Sequence, residues 1–306
     1  MTIKTPTRGR AAPRGTLRWL KALVLCVLCA ATAPAFADAA ALRAKHAELR
    51  EELASNPYQR AMYIDSAESG KALSGEVYAI LDHPYAKVSQ SMREPGPWCD
   101  ILLLPFNTKY CRAIDGNDED RLAVRIGRKY DQPVENAYKL DFAYRNVSAT
   151  PEYYETRLTA REGPIGTRDY RIVMKAIPLD ANRTFMHLSY SYGVGTAGRF
   201  AMQAYLATSG ADKVGFSVAG KDASGKPQYI GGVRGAIERN VMRYYLAIDA
   251  YLDSLEAPKH LQVERRIHNW FNATEKYARQ LHEMDRNTYV TMKRSEYERQ
   301  QSVAIQ

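Results

Sequence analysis

Long apolar runs are scarce in this 306-residue chain, and so are the residue patterns by which catalytic sites are most readily recognised. Only residues 22–31 form an apolar stretch of note, far short of the roughly 20 residues a bilayer-spanning helix needs. The six histidines are scattered. With no H-E-x-x-H and no close grouping with acids, a zinc enzyme has no ligands to name. No G-x-S-x-G elbow supplies a hydrolase nucleophile. Cysteine is limited to four residues, two of them inside the apolar stretch. No low-complexity tract is present.

What is there begins at the N-terminus. Arg8, Arg10, Arg14, Arg18 and Lys21 precede the apolar run, and Ala35-Phe36-Ala37 forms an A-x-A site before Asp38. This three-part pattern predicts a secretory signal, residues 1–37, cleaved between Ala37 and Asp38, and a periplasmic or secreted mature protein. Cys26 and Cys29 each follow a leucine, so neither is a good lipoprotein acceptor, and no Arg-Arg pair marks a twin-arginine route. The cut changes the chain's character. The leader holds six lysines and arginines and no acid, and removing them takes the formal net charge from +9 to +3. That bias is too small to imply a nucleic-acid partner. Only Cys99 and Cys111 remain. An isolated pair in an oxidising compartment is most simply a disulfide, and a reactive or metal-binding pair is the alternative.

The mature chain is organised as a helical segment over residues 38–70, a main domain over 71–257 and a helical extension over 258–306. Leu42, Leu49 and Leu53 recur at helical spacing in the first. Residues 72–81 alternate as a strand, His83-Pro84 opens a helical stretch, and Pro95-Gly96-Pro97 breaks it. Alternating segments follow at 122–128, 138–146, 153–160, 169–177 and 184–192, separated by turn-formers, which predicts an antiparallel meander. In the last of these, Met186, Leu188, Tyr190 and Tyr192 share one face, and Phe185, His187, Ser189 and Ser191 the other. A short helix near 199–208 and a strand-like piece at 213–219 come next. Residues 236–255 carry Ile237, Val241, Tyr244, Tyr245, Ile248, Leu252 and Leu255 in steps of three or four, an amphipathic helix. Val263, Ile267, Trp270, Phe271, Thr274, Tyr277, Leu281 and Met284 mark another, which needs the parent sheet or a second subunit to cover it. Beyond it lies a charged tail expected to fray.

Two nucleotide-like motifs are refused. Gly193-Val194-Gly195-Thr196-Ala197-Gly198 matches G-x-G-x-x-G but follows a meander rather than a β-α-β unit. Gly220 to Pro227 approaches a phosphate loop, yet Pro227 stands where a magnesium-binding Ser or Thr is needed, and Asp222-Ala223-Ser224-Gly225 is turn chemistry. No cofactor and no metal are therefore expected. Arg234 and Glu238 are spaced for an ion pair. An arginine there, Arg234 or Arg239, also suits gripping a ligand's phosphate or carboxylate.

One helix pair after a first strand, then a meander, then a long C-terminal helix resembles the helix-grip fold in its START-like branch, also called SRPBCC. The resemblance spans roughly residues 71–256. Trp98-Cys99-Asp100-Ile101, Asn107-Thr108-Lys109-Tyr110-Cys111, Gly232-Val233-Arg234-Gly235-Ala236-Ile237-Glu238-Arg239-Asn240 and Met242-Arg243-Tyr244-Tyr245 are similar to an exported bacterial group within it. The resemblance implies an α+β fold, a curved antiparallel sheet wrapped around a long helix, here with extra N- and C-terminal helices. It also implies an apolar cavity between sheet and helix.

The resulting expectation is a non-enzymatic protein that binds a hydrophobic small molecule or lipid for carriage or sensing. The cavity candidates are Tyr190, Tyr192, His187, Arg234, Arg239, Tyr244, Tyr245 and Ile248. The glycine-rich loops 193–198 and 231–235 are the candidate lid. Transient membrane contact and a homodimer through the C-terminal helix are the further partner expectations. The alternatives are a cyclase or aromatase-type enzyme built on His187 and Tyr190, and an interaction protein acting through the helix at 263–284. Terminal sequencing of the exported protein is expected to begin at Asp38, and retention of residues 1–37 would refute the leader.

Overall fold

Eight strands pair antiparallel in the order β1-β2-β8-β7-β6-β5-β4-β3. They are β1 (Met62–Ser69), β2 (Ala72–Leu81), β3 (Thr108–Ile114), β4 (Arg121–Ile126), β5 (Tyr138–Ala149), β6 (Tyr154–Glu162), β7 (Thr167–Pro178) and β8 (Thr184–Val194). The computed structural model describes residues 1–2, 33–117, 119–208 and 210–302. The basic and apolar parts of the expected leader lie outside the described residues, while Ala37 and Asp38 lie in helix α1 (Ala33–Glu48). From β3 to β8 the sheet is a plain meander, and the hairpin β1-β2 adds to its last strand, with Gly75 opposite Tyr190. Because β2 and β3 end up at different places in the sheet, the chain between them must cross it. Two short helices, α3 (Tyr85–Ser91) and α4 (Pro95–Leu102), make the crossing. Pro95-Gly96-Pro97 therefore starts a helix, since proline is tolerated in a first turn, where no intrahelical amide bond is lost.

The strand period of two decides which side chains meet. Leu73, Val77, Ala79, Leu81, Met186, Leu188, Tyr190 and Tyr192 point into one large core. The long helix α6 (Gly232–Ser254) lies in the concavity and buries Ile237, Val241, Tyr245, Ile248 and Leu252. At Gly75 the helix comes so close that an added Cβ would sit 3.1 Å from Val241 Cγ1 and 3.2 Å from Ile237 Cγ1. Glycine at this position lets the two elements meet without displacing either side chain. A curved antiparallel sheet gripping one long helix is the α+β helix-grip fold. Before α6 come helix α5 (Thr196–Ala207) and a two-stranded hairpin of β9 (Val218–Lys221) and β10 (Pro227–Tyr229).

The convex face is covered in part by α1 and the short α2 (Arg50–Ala54). Ala39, Leu42, Leu49 and Leu53 form a second core with Tyr78, Tyr153, Ile177 and Phe185. Both faces of β2 and β8 are thus buried at one end.

Several elements differ from the sequence reading, each for a physical reason. β1 has few apolar residues because it is an edge strand with only part of one face inside. β3 shows no alternation because residues 108–111 are buried on both faces. The strand read at 213–219 reduces to β9, and the stretch before it is tied at Ile230, which accepts from the Gly215 amide at 2.7 Å and donates to Ser217 O at 2.8 Å. The helix read across 263–284 is two: α7 (Lys259–Glu275) and the single turn α8 (Ala278–Leu281), broken at Tyr277. Its apolar face is spent inside the chain, with Trp270 buried and its indole nitrogen donating to Arg243 O at 3.1 Å. The tail expected to fray forms α9 (Arg286–Ser302), which buries Tyr289, Val290, Met292, Lys293 and Glu296. Its buried face includes charged residues, so the hydropathy pattern hides it.

Cys99 on α4 and Cys111 on β3 form a disulfide, their Cα atoms 5.2 Å apart. Closing so short a loop stabilises by about 2 to 3 kcal/mol on the chain-entropy estimate. Replacing both cysteines by alanine is expected to lower the urea-unfolding free energy by at least about 2 kcal/mol, and an unchanged midpoint would show that the crosslink contributes nothing.

Candidate ligand cavity

α6 approaches the β1, β2 and β8 side of the sheet closely, and on the other side, over β4, β5 and β7, the concavity is left unfilled. The gap is a cavity of about 260 Å³. Val124 and Ile126 on β4, Leu140 and Phe142 on β5, and Leu102 at the end of α4 supply apolar walls. Gly198, Ala201 and Met202 of α5, with the turn Pro164–Gly166, close the remaining side.

Four tyrosines give the cavity its chemistry: Tyr170 on β7, Tyr190 and Tyr192 on β8, and Tyr244 on α6. The Tyr170 and Tyr192 rings stack with centroids 5.2 Å apart, and Tyr244 meets Tyr190 edge-on at 5.2 Å. A bulge between Arg168 and Arg171, with Asp169 in the left-handed conformation, bends β7 beside Tyr170. The Tyr170 hydroxyl donates to Thr167 Oγ1 at 2.9 Å. Among the described residues, the hydroxyls of Tyr190, Tyr192 and Tyr244 have no hydrogen-bond partner. Burial pushes the ionisation of all four upward. They remain neutral phenols. Asn107, Thr108, Thr167 and Asn240 add further neutral polar groups, and among the described residues no charged side chain lines the cavity. A smaller recess of about 140 Å³ lies against α5, sharing Val194 and Met202 with the cavity and edged by Glu68, Lys71 and Arg199.

Of the expected site residues, Tyr190, Tyr192 and Tyr244 meet in the cavity and the others do not. His187 falls on the convex face, three residues from Tyr190, stacked on Tyr78 at 4.2 Å and 3.3 Å from Glu76. The pairing of His187 with Tyr190 at one reaction centre is not formed. Arg234 reaches Ser66 Oγ at 3.1 Å and Asp65 at 3.7 Å rather than Glu238. Glu238 is buried and accepts instead from Ser66 Oγ and from the Phe216 and Ser217 amides. Arg239 donates to Val214 O at 3.2 Å. Tyr245, one residue and about 100° around the helix from Tyr244, accepts from Arg60 at 3.2 Å. Ile248 packs in the core. Sequence reasoning missed Tyr170, Phe142 and Asn240. Tyr170 shares strand parity with Ile172 and Met174, and Asn240 precedes Tyr244 by one helical turn. Those are the signals that were there to use.

The glycine-rich stretch 193–198 is the link from β8 into α5 and borders the cavity at Val194 and Gly198. The stretch 220–227 is a hairpin turn in which Asp222 Oδ1 accepts from the Ser224 and Lys226 amides. Among the described residues, no group of three or more His, Cys, Asp or Glu is placed to hold a metal, and no helix is long and apolar enough to cross a membrane.

No family model matches the chain, and no curated protein matches it. Among solved structures it is similar to a norcoclaurine synthase from Thalictrum flavum, at 14% identity over 45% of this chain and 86% of that one, TM-score 0.33. It is similar to Ara h 8.0201 at 11% identity, covering 60% and 99%, TM-score 0.34. It is also similar to the Zhui aromatase/cyclase from Streptomyces sp. R1128 at 12% identity, covering 64% and 96%, TM-score 0.36. At such values neither activity nor ligand transfers to this chain. The helix-grip arrangement rests on the strand order and the seat of α6.

The raised phenols carry a sign for stability. An unfolded tyrosine loses its proton near 10.0, whereas the buried ones keep theirs, so the unfolded state sheds protons first and stability falls as pH climbs above that value. Ultraviolet phenolate absorbance is expected to show a fraction of tyrosines titrating only together with alkaline unfolding. Smooth titration of every tyrosine near its ordinary value would contradict the buried cluster.

Proposed function

We propose that this protein binds one compact, uncharged, largely apolar molecule bearing a hydroxyl or carbonyl group in the tyrosine-lined cavity, for carriage or sensing outside the cytoplasm. The observation that carries the reading is the combination of apolar walls, unpartnered phenols and the absence of any charge in the lining. The phenol hydroxyls open into the cavity, and a ligand oxygen placed among them gains hydrogen bonds worth about 0.5 to 1.5 kcal/mol each in exchange for water. The apolar remainder of the ligand gains roughly 25 cal/mol per Å² withdrawn from water. A cavity of about 260 Å³ suits a fused ring or a short single chain. A lipid ligand is therefore of a neutral, compact kind, since no cation among the described residues lines the cavity to meet a phosphate or carboxylate headgroup: Arg234 and Arg239 are engaged elsewhere, and Lys71 and Arg199 edge the neighbouring recess.

Action outside the cytoplasm is supported by the leader pattern and by the way the fold begins. Phe36 and Ala37 are exposed, Ala39 is the first buried side chain among the described residues, and Asp38 lies 3.6 Å from Lys175. Cleavage after Ala37 removes nothing described that packs.

Native mass spectrometry of the exported protein is expected to show a small organic adduct that is released into organic solvent. Tyr192→Phe and Tyr244→Phe are expected to keep the fold while weakening retention by about fivefold each, the equivalent of one hydrogen bond. A protein that leaves its host empty and binds no uncharged ring compound would overturn the reading.

A further inference from the structure

One wall of the cavity is held from outside the grip. Residues 103–107, which join α4 to β3, and Thr108, which opens β3, lie within the loop closed by the Cys99–Cys111 disulfide. Leu102, Asn107 and Thr108, at the ends of this segment, face the cavity. A segment buried this deeply needs a donor for each carbonyl. Asn107 O takes the Gly127 amide at 2.7 Å. Pro105 O takes the Thr108 amide at 3.2 Å, and side chains donate to four carbonyls of the segment. The Tyr289 hydroxyl donates to Leu104 O at 3.0 Å, Lys293 Nζ to Pro105 O at 2.8 Å and to Thr108 O at 3.0 Å, and Lys109 Nζ to Phe106 O at 2.9 Å. Between the two ammonium groups sits Glu296, with one carboxylate oxygen 2.9 Å from Lys109 and the other 2.7 Å from Lys293.

All three charged side chains are sealed from solvent, at 0% exposure for Lys109 and Glu296 and 1% for Lys293. Such a cluster is costly to desolvate and is a poor way to gain stability alone. Burial draws the Lys293 ammonium down to about 8, the Glu296 carboxylate opposing the fall and the Lys109 charge adding to it. What the cluster does gain is fixed geometry, because each ammonium is aimed at backbone carbonyls of one short segment. Phe106, in the middle of that segment, packs edge-on against Trp270 of α7 at 5.0 Å and Tyr289 of α9 at 5.4 Å.

We propose that α9 is a positioning element for the cavity: Tyr289, Lys293 and Glu296, together with Lys109, set the shape of the wall at residues 103–108, so that docking of α9 and occupancy of the cavity favour each other. This rests on the cavity being the binding site. Coupling of this kind is reciprocal: whatever α9 does for ligand affinity, ligand does for the docking of α9.

The test uses the full mature chain, an uncharged naphthol as probe, and hydrogen exchange read by mass spectrometry. Tyr289→Phe is the conservative variant, Lys293→Met the stronger one, and Leu53→Ala the control, which loosens the convex-face core without touching the segment. Tyr289→Phe is expected to speed exchange at residues 103–108 and to weaken naphthol about fivefold, one hydrogen bond's worth. Leu53→Ala, though it lowers global stability, is expected to leave both unchanged, and naphthol is expected to slow exchange along α9 in the unaltered protein. Should Lys293→Met fail to fold, Tyr289→Phe alone decides. If the α9 variants lose stability but keep the exchange of 103–108 and the affinity of the Leu53→Ala control, the positioning role is overturned. If the unaltered protein binds no naphthol, the cavity reading falls, and the hold of α9 on the wall is then judged by exchange at 103–108 alone, unchanged exchange refuting it.

Discussion

A single helix cannot fill the hollow of an eight-stranded curved sheet, and most of this structure follows from where α6 sits in it. The close approach at Gly75, where an added Cβ would sit 3.1 Å from Val241 Cγ1 and 3.2 Å from Ile237 Cγ1, seats α6 toward β1, β2 and β8. Close packing on that side leaves β4, β5 and β7 without a partner across the hollow. The remaining space is lined by large side chains that do not close it, and the other elements, α5, the turn at Pro164–Gly166 and the segment entering β3, border the opening.

Charge is handled by exclusion. Charged groups near the middle of α6 turn to specific partners away from the cavity: Glu238 to two backbone amides, Arg239 to Val214 O, and Arg243 to Glu283 at 2.6 Å. Inside, the polar groups are phenols, amides and hydroxyls that burial keeps neutral. Such a lining orients an uncharged polar group without having to neutralise it, and an ion entering would lose its hydration with nothing to replace it.

The periodic elements were legible in the sequence and the covered ones were not. Alternation located β2 and the meander from β4 to β8, and the faces of β8 were assigned correctly because Met186, Leu188, Tyr190 and Tyr192 keep strict parity. The spacing of Ile237, Val241, Tyr244 and Ile248 located α6. β1 and β3 escaped, one for want of apolar residues and the other for having both faces inside. α9 escaped because a helix that buries Lys293 and Glu296 reads as a solvated tail. Of the cavity, parity supplied Tyr190 and Tyr192, and the spacing of α6 supplied Tyr244. Parity equally sends His187 to the convex face. The arginines of α6 attracted attention as anion-binding candidates because pattern shows a charge but not its partner, and here the partners come from distant segments, Ser66 and Val214.

The uncharged lining is the centre of this account, and it is tested most directly by comparing two probes of the same shape. Titration calorimetry with a neutral naphthol and with the corresponding naphthoate, at a pH where only the second is ionised, measures the preference itself. The account predicts that the naphthol binds and that the naphthoate binds at least about tenfold more weakly, a difference of about 1.4 kcal/mol. Equal affinity, or preference for the carboxylate, would contradict it.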